Sequence, residues 1–148
     1  MSAEAILQQF LDELGDALLA DDWQTYRPCA HLPCQIIGPD GNSVLATEAE
    51  LREGFEKFRD TLRFYRVTDY VRLVETVEMP EADVIAGSYV SHLISTGHRL
   101  LQPFRSQITL RHIEGRWRGT SVTNGLSSSR WATMLIPSRD FGTKGPTQ

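Results

Sequence analysis

Asp69 is the carboxylate of this sequence best suited to acid–base chemistry. Its predicted strand face also carries three apolar residues, Val67, Val71 and Leu73. A carboxyl group among apolar side chains has its pKa moved toward the working pH, as a general acid or base requires. The structural alternative is a strand-end aspartate that faces water or pairs with an arginine such as Arg66 or Arg111.

His92 is the matching candidate among the histidines. In the run Ser88–Ile94 it shares a strand face with Val90 and Ile94, and an unperturbed imidazole titrates close to neutral pH. The alternative is a core histidine whose hydrogen bonds are all satisfied. If Asp69 and His92 both point inward, they form an Asp–His pair for proton transfer.

Three aromatic residues are candidates for binding a ligand, namely Trp23, Tyr26 and Tyr65. Each can stack on a planar or apolar molecule and offers one hydroxyl or indole donor. Ordinary core packing is the alternative for each of them.

Other kinds of site find little support. Cys29, His31 and Cys34 are all zinc-ligand types, but the spacing Cys-x-His-x-x-Cys matches no standard zinc site. The sequence has no Gly-x-Ser-x-Gly, Walker A, Gly-x-Gly-x-x-Gly or His-Glu-x-x-His pattern. We therefore expect neither a metal nor a cofactor.

Composition limits the partners and the compartment. The 148 residues carry a formal net charge of -4, with Lys57 and Lys144 as the only lysines, so a nucleic-acid-binding face is not expected. No basic segment followed by an apolar one marks a secretory signal, and no apolar run approaches the ~20 residues of a membrane helix. We expect a cytoplasmic protein with reduced cysteines and no membrane contact.

Amphipathic helices lead the chain. Apolar residues recur at three- and four-residue steps from Ala5 to Ala20, and a short helix follows from Asp22 to Tyr26. Thr47 followed by Glu50 forms a capping box that predicts a third helix over residues 48–62.

The period changes to two after Arg63, which predicts strands over residues 67–79, 83–95, 99–113 and 116–124, besides an earlier short strand Cys34–Ile37 and a turn at residues 39–42. A 13-residue strand would be about 43 Å long if straight, so the strands must bend, with Gly87 and Pro103 as candidate positions. The face Arg105, Gln107, Thr109 and Arg111 is expected to be solvated or to face a dimer partner, paired with glutamates; an anion clamp is the alternative.

The chain is interpreted as one domain, residues 1–128, with a C-terminal extension, residues 129–148. We expect the last ten or so residues to be flexible, on the basis of their composition. The apolar segment Trp131–Ile136 is expected to pack on the sheet edge or on a partner subunit, with a lid over the pocket as the alternative.

This order of elements resembles the SnoaL-like branch of the nuclear-transport-factor-two-like superfamily. The resemblance rests on Gly15-Asp16, on Asp22-Trp23 and on the closing hairpin Gly115-Arg116-Trp117-Arg118, and spans roughly residues 4 to 125. It implies an α+β, cystatin-like, cone-shaped barrel with three N-terminal helices packed on a curved antiparallel sheet. It also implies a pocket between sheet and helices, and a homodimer through the outer sheet face.

Three functions follow from the resemblance. The first is binding of a small apolar or aromatic organic ligand in the pocket, with Trp23, Tyr26 and Tyr65 at its rim. The second is a cofactor-free lyase or isomerase, of polyketide-cyclase or ketosteroid-isomerase type, that uses Asp69 and His92. The third is a non-catalytic accessory subunit, similar to the small subunits of ring-hydroxylating dioxygenases.

Overall fold

Three helices pack on one face of a seven-stranded sheet in the computed structural model, which describes residues 1–126. The helices are α1 (Ala3–Leu19), α2 (Trp23–Tyr26) and α3 (Glu48–Phe64), and a single 3-10 turn, Arg27–Cys29, continues α2. The strands are β1 (Ala30–Gly38), β2 (Gly41–Leu45), β3 (Asp69–Glu81), β4 (Val84–Ser95), β5 (His98–Arg99), β6 (Phe104–Ile113) and β7 (Arg116–Thr123). The predicted packing of Trp131–Ile136 and the predicted flexible end lie outside the described residues.

The helices begin at capping side chains. Ser2 accepts a hydrogen bond from the Ala5 amide at 3.1 Å at the start of α1. At α3, Thr47 and Glu50 form the predicted capping box, which pairs amides that the first turn leaves without a helical acceptor. Both long helices predicted from periodicity are confirmed within two residues at each end.

The sheet is curved, mixed and open. Its strand order is β2-β1-β7-β6-β4-β3, with β5 paired to β4, so β2 and β3 are edges and the barrel does not close. The prediction of an antiparallel sheet is wrong at one pair, because β1 runs parallel to β7. A tight hairpin fixes the direction of β7 beside β6, whereas no short connection constrains how β1 joins it.

Register shifts bend the sheet, for instance at Glu75 in β3, between Val74 and Thr76, and at Thr120 in β7, opposite Thr109 and Leu110 of β6. The predicted strand over residues 99–113 is interrupted, since β5 ends at Arg99 and β6 begins after Pro103. Sequence reasoning missed β2, a short and largely exposed strand that returns beside β1 from the predicted turn.

Two apolar clusters fill the space between helices and sheet. The first, beneath α2 and α3, includes Trp23, Leu51, Phe55, Leu62, Leu93 and Leu101. The second, beneath α1, includes Leu7, Leu11, Ile85, Tyr89, Ile108 and Leu110. Within residues 1–126, no helix is both long and apolar enough to cross a bilayer.

Candidate functional site

Arg72 is a charged side chain inside the domain. It points inward from β3 between Tyr70 and Val74 and is 4% exposed. Its Nη2 donates a hydrogen bond to the main-chain carbonyl of Leu11 in α1 at 2.7 Å. Helix α1 comes this close because residue 15 is glycine, where a Cβ atom would lie 3.1 Å from the same Nη2.

Gln8 fixes the main chain of β3 on either side of this arginine. Its Nε2 donates to the Arg72 carbonyl at 2.6 Å, and its Oε1 accepts from the Val74 amide at 3.0 Å. Among the described residues β3 is an edge strand, so no strand of residues 1–126 pairs with its outer main-chain groups, and the Gln8 amide takes that place. Helix α1 therefore sets the position of Arg72.

The Arg72 guanidinium has no carboxylate partner in the part of the chain that the structure describes. No acidic oxygen there lies within 4.0 Å of it, and its buried Nε has no hydrogen-bond partner among those residues. Burying an unpaired ion costs several kcal/mol, roughly. A buried polar atom of this kind requires a partner, which is an ordered water, an ion or a polar group of another molecule.

Ser91 lies directly opposite Arg72 in the β3–β4 pair and shows the same feature. It is 1% exposed, and its Oγ also has no hydrogen-bond partner within residues 1–126. Side chains directly opposite each other on one sheet face are neighbours, with Cβ atoms about 5 Å apart. The unpaired Arg72 Nε and Ser91 Oγ thus belong to one buried polar site between the two apolar clusters.

Tyrosine rings surround this site. The Arg72 Cζ atom lies 4.3 Å from the ring centroid of Tyr70 and 5.9 Å from that of Tyr89, distances at which cation and ring attract. Burial raises the pKa of the Tyr89 hydroxyl, and the positive charge of Arg72 opposes that shift. The same two influences act on the Tyr26 hydroxyl, where burial again raises the pKa. Both hydroxyls therefore stay protonated at neutral pH and can donate hydrogen bonds.

Two of the predicted aromatic ligand contacts pack together on the helix side. Trp23 and Tyr26 both contact Phe55, with ring centroids 5.4 and 4.7 Å away. Tyr65, just after α3, is half-buried against the same cluster. The structure thus gathers all three predicted residues around one apolar cluster.

Asp69 and His92 lie on the outer sheet face. Asp69 pairs with Ile94, and Val71 pairs with His92, so the two residues are diagonal neighbours on the face opposite Arg72. The exposed Asp69 carboxylate accepts from Thr68 Oγ1 at 3.0 Å, and His92 Nδ1 lies 3.4 Å from Arg99 Nη2. A proton-transfer site at this pair would open away from the helices.

The two cysteines are buried and free. Cys29 Sγ lies 3.3 Å from the Thr25 carbonyl, and burial raises the pKa of its thiol to about 11, which suppresses the nucleophilic thiolate at neutral pH. Within residues 1–126, no group of three His, Cys, Asp or Glu side chains is placed to hold a metal ion.

A depression of about 480 Å³ on the outer sheet face is lined by polar residues, including Arg105, Gln107 and Thr109 of the predicted polar face. Arg105 pairs there with Glu75 through two hydrogen bonds, the Nη2–Oε2 bond being 2.8 Å long. This confirms for Arg105 the predicted pairing with a glutamate. Because that charge is compensated and exposed, the depression is a weaker candidate than the interior.

Sequence reasoning missed Arg72 and Ser91 as site residues. Alternation places Arg72 with Tyr70 on the strand face opposite Asp69, and the apolar residues Val71 and Leu73 favour the Asp69 face as the inner one. An isolated arginine between two apolar neighbours, Val71 and Leu73, is the signal that could have revealed it, since arginine rarely lies inside without a role.

Comparisons with solved structures support the fold. A protein from Nostoc punctiforme with a cystatin-like fold and unknown function matches with a TM-score of 0.64 at 13% identity, over 90% of this chain and 84% of that one. An NTF-2-like protein of unknown function from Shewanella oneidensis gives 0.62 at 13% identity, over 80% and 95%. An NTF2-like protein from Cytophaga hutchinsonii gives 0.62 at 14% identity, over 85% and 100%.

No protein-family model matches the sequence, and no curated protein matches it either. At such low sequence identity, structural similarity shows the fold alone, so the function has to be argued from the residues of the site. The chain has the NTF2-like, cystatin-like α+β fold that the resemblance implied.

Proposed function

We propose that this protein binds a small organic molecule between the sheet and the helices. The polar end of the molecule would contact Arg72 and Ser91, and its apolar or aromatic body would lie against the tyrosine rings. The observation that carries the proposal is the pair of buried atoms, Arg72 Nε and Ser91 Oγ, which have no partner within residues 1–126. Buried polar atoms in native proteins are rarely left unpaired.

The surroundings suit a ligand with one polar end. Apolar clusters flank Arg72 and Ser91 on both sides, and such sites combine apolar walls with a few convergent polar groups. The rings of Trp23, Tyr26 and Phe55 occupy the helix side, so we expect them to shift when the ligand enters. The four-residue α2, which supplies Trp23 and Tyr26, is short enough to move with them.

A thermal-shift screen tests this proposal. A library of small aromatic and aliphatic compounds, neutral and charged, is added to the full chain, and a ligand at 100 times its Kd should stabilise the fold by about 2.7 kcal/mol. Ser91→Ala and Tyr26→Ala should reduce the shift, while Gln107→Ala in the outer depression should leave it unchanged. A broad library without one stabilising compound would contradict the proposal, as would shifts that the interior variants leave unaltered.

One observation favours a second candidate, an accessory domain with a filled interior. Phe55 is 1% exposed and in contact with both Trp23 and Tyr26, so these rings already stabilise one another without a ligand. This candidate predicts no binder in the screen and a stable complex with a protein partner.

We propose that the outer sheet face forms a homodimer. Val71 and Leu73 are 38% and 51% exposed there on adjacent outward positions of β3, and a second copy would remove this apolar surface from water. Light scattering should give twice the monomer mass at micromolar concentration, and Leu73→Glu should shift the protein to monomer. A monomeric wild-type protein would refute the dimer without affecting the interior site.

A further inference from the structure

We infer that the ligand of the interior site is an organic anion, with a carboxylate as its polar end, and that Arg72 is its counter-ion. This inference rests on the proposed interior site and adds the charge of the molecule that binds there. It comes from three features of Arg72: its uncompensated charge, the free edge of its guanidinium and the groups around that edge.

The first feature is charge. An arginine guanidinium remains protonated inside proteins, so Arg72 brings a full positive charge to a position that is 4% exposed. Its neighbours within residues 1–126 are a main-chain carbonyl, aromatic rings and the Tyr89 hydroxyl, and none of them carries a negative charge at neutral pH. A neutral ligand would accept hydrogen bonds from Arg72 but leave its positive charge uncompensated. An anion would accept the hydrogen bonds and also neutralise the charge.

The second feature is the geometry of the guanidinium. Its N–H groups form a planar fork that receives a carboxylate through two parallel hydrogen bonds. Arg105 shows this arrangement in the same protein, because its Nε and Nη2 bind the two carboxylate oxygens of Glu75. Arg72 donates from Nη2 to the Leu11 carbonyl and has Nε unpaired among the described residues, so a carboxylate would bind at Nε.

The third feature is the chemistry around that edge. The Ser91 hydroxyl, opposite Arg72 in register, can donate to the same carboxylate. The rings of Tyr70 and Tyr89 flank the guanidinium and offer surfaces on which a planar body can stack. Together these groups fit a small aromatic carboxylate better than a phosphate, for which the described interior offers no second cation beside Arg72.

Matched acid and amide probes test the inference. Binding of phenylacetate and of phenylacetamide, and likewise of benzoate and benzamide, is measured by calorimetry on the full chain at pH 7. The acid should bind at least about tenfold more tightly than its amide, because a charge-assisted hydrogen bond from Arg72 replaces a neutral one. Arg72→Met should abolish this preference, and Arg72→Lys should retain part of it because the charge remains.

Arg105→Met is the matched control, since it removes an exposed arginine on the outer face and should leave the preference intact. Equal binding of acid and amide by the wild type would overturn the inference while the interior site stands. If none of the four probes binds, both the inference and the proposed interior site are overturned. If Arg72→Met still binds the acid more tightly than the amide, another residue binds the anion and the inference is overturned.

Asp140 is the one aspartate or glutamate beyond residue 126, and it needs its own control. Asp140→Asn should bind the acids as the wild type does. Tighter acid binding by this variant would mean that Arg72 already has a carboxylate partner within the chain, and would overturn the inference. Circular dichroism on each variant confirms that the fold is retained before binding is compared.

Discussion

Arg72 and Ser91 face each other across β3 and β4, and each has a buried polar atom without a hydrogen-bond partner within residues 1–126. Apolar side chains flank the pair on both sides. In such surroundings electrostatic interactions are stronger than in water. The free-energy cost of a polar group that has no partner is therefore also higher there. The folded protein is therefore less stable here than an apolar layer would make it, which has direct consequences for substitutions.

Replacing Arg72 with methionine should keep or increase stability. Methionine fills a similar volume without a charge, and exchanging buried ionic groups for apolar ones is neutral or stabilising by roughly 1–4 kcal/mol. Urea denaturation of Arg72→Met and wild type measures this difference. The exposed control Arg105→Met should change the free energy of unfolding by less than about 1 kcal/mol. A loss above about 2 kcal/mol in Arg72→Met would show that the arginine is structural.

Gly15→Ala should be less stabilising than alanine normally is in a helix. Alanine in place of glycine favours a helix interior by about 1 kcal/mol, but here the added Cβ would lie 3.1 Å from Arg72 Nη2 and 3.4 Å from the Tyr70 carbonyl. The closeness of the guanidinium should offset the gain. Chemical denaturation of the variant measures the net effect.

Gly54 in α3 provides the control, because a Cβ atom there would have no neighbour within 4 Å among residues 1–126. Gly54→Ala should therefore show the full gain of about 1 kcal/mol. Arg72→Met removes the guanidinium that the added Cβ at position 15 would contact. The double variant should therefore gain more stability than the sum of the gains of the two single variants. Strict additivity would mean that Gly15 does not make room for Arg72.

Most elements of this fold could be predicted from local signals, the short and largely exposed β2 being an exception. The capping box at Thr47 and the apolar stripe ending at Leu62 gave α3 almost to the residue, since both depend on neighbours within a turn or two of helix. The pairing of β1 with β7 was not predictable in the same way. Its paired residues, for example Ala30 and Gly119, are far apart in sequence, and no turn connects the two strands.

The site was harder to predict because a period of two shows which residues share a strand face and leaves open which face is inner. On β3 the apolar residues Val71 and Leu73 suggested that their face was buried. In the structure α1 covers the opposite face through Gln8 and through the contact of Leu11 with Arg72. Those contacts are polar and come from a distant helix, so hydrophobic alternation pointed to the wrong side.

Gly87→Ala should destabilise the fold. A Cβ atom at this position of β4 would lie 2.5 Å from Leu7 Cδ2 and 2.7 Å from the Thr76 carbonyl, so the α1 side chain and the β3 main chain would both have to move. Such overpacking costs about 1–3 kcal/mol. Thermal or urea denaturation measures the loss. A double variant, Gly87→Ala with Leu7→Ala, removes the contact with the leucine side chain. If Gly87→Ala is still destabilising in the Leu7→Ala protein, the contact with the Thr76 main chain is its cause.

Cys29 should make the protein less stable at alkaline pH. Burial raises the pKa of its thiol from 9.0 to about 11 in the folded state. Between these values the unfolded chain loses the proton while the folded protein keeps it. The contribution of Cys29 to stability is thus complete below pH 9 and decreases as the pH rises to about 11.

Urea denaturation of wild type and Cys29→Ala at pH 8 and pH 10 tests this dependence. The wild type should lose more stability between the two pH values than the variant, because the variant has no thiol to ionise at that position. Tyrosine ionisation in the unfolded chain affects both proteins equally and cancels in the comparison. A thiol reagent at pH 8 gives a second measurement, since Cys29 is 2% exposed and should react only when the protein unfolds. Rapid labelling of Cys29 in the folded protein would contradict both its burial and the direction of its pKa shift.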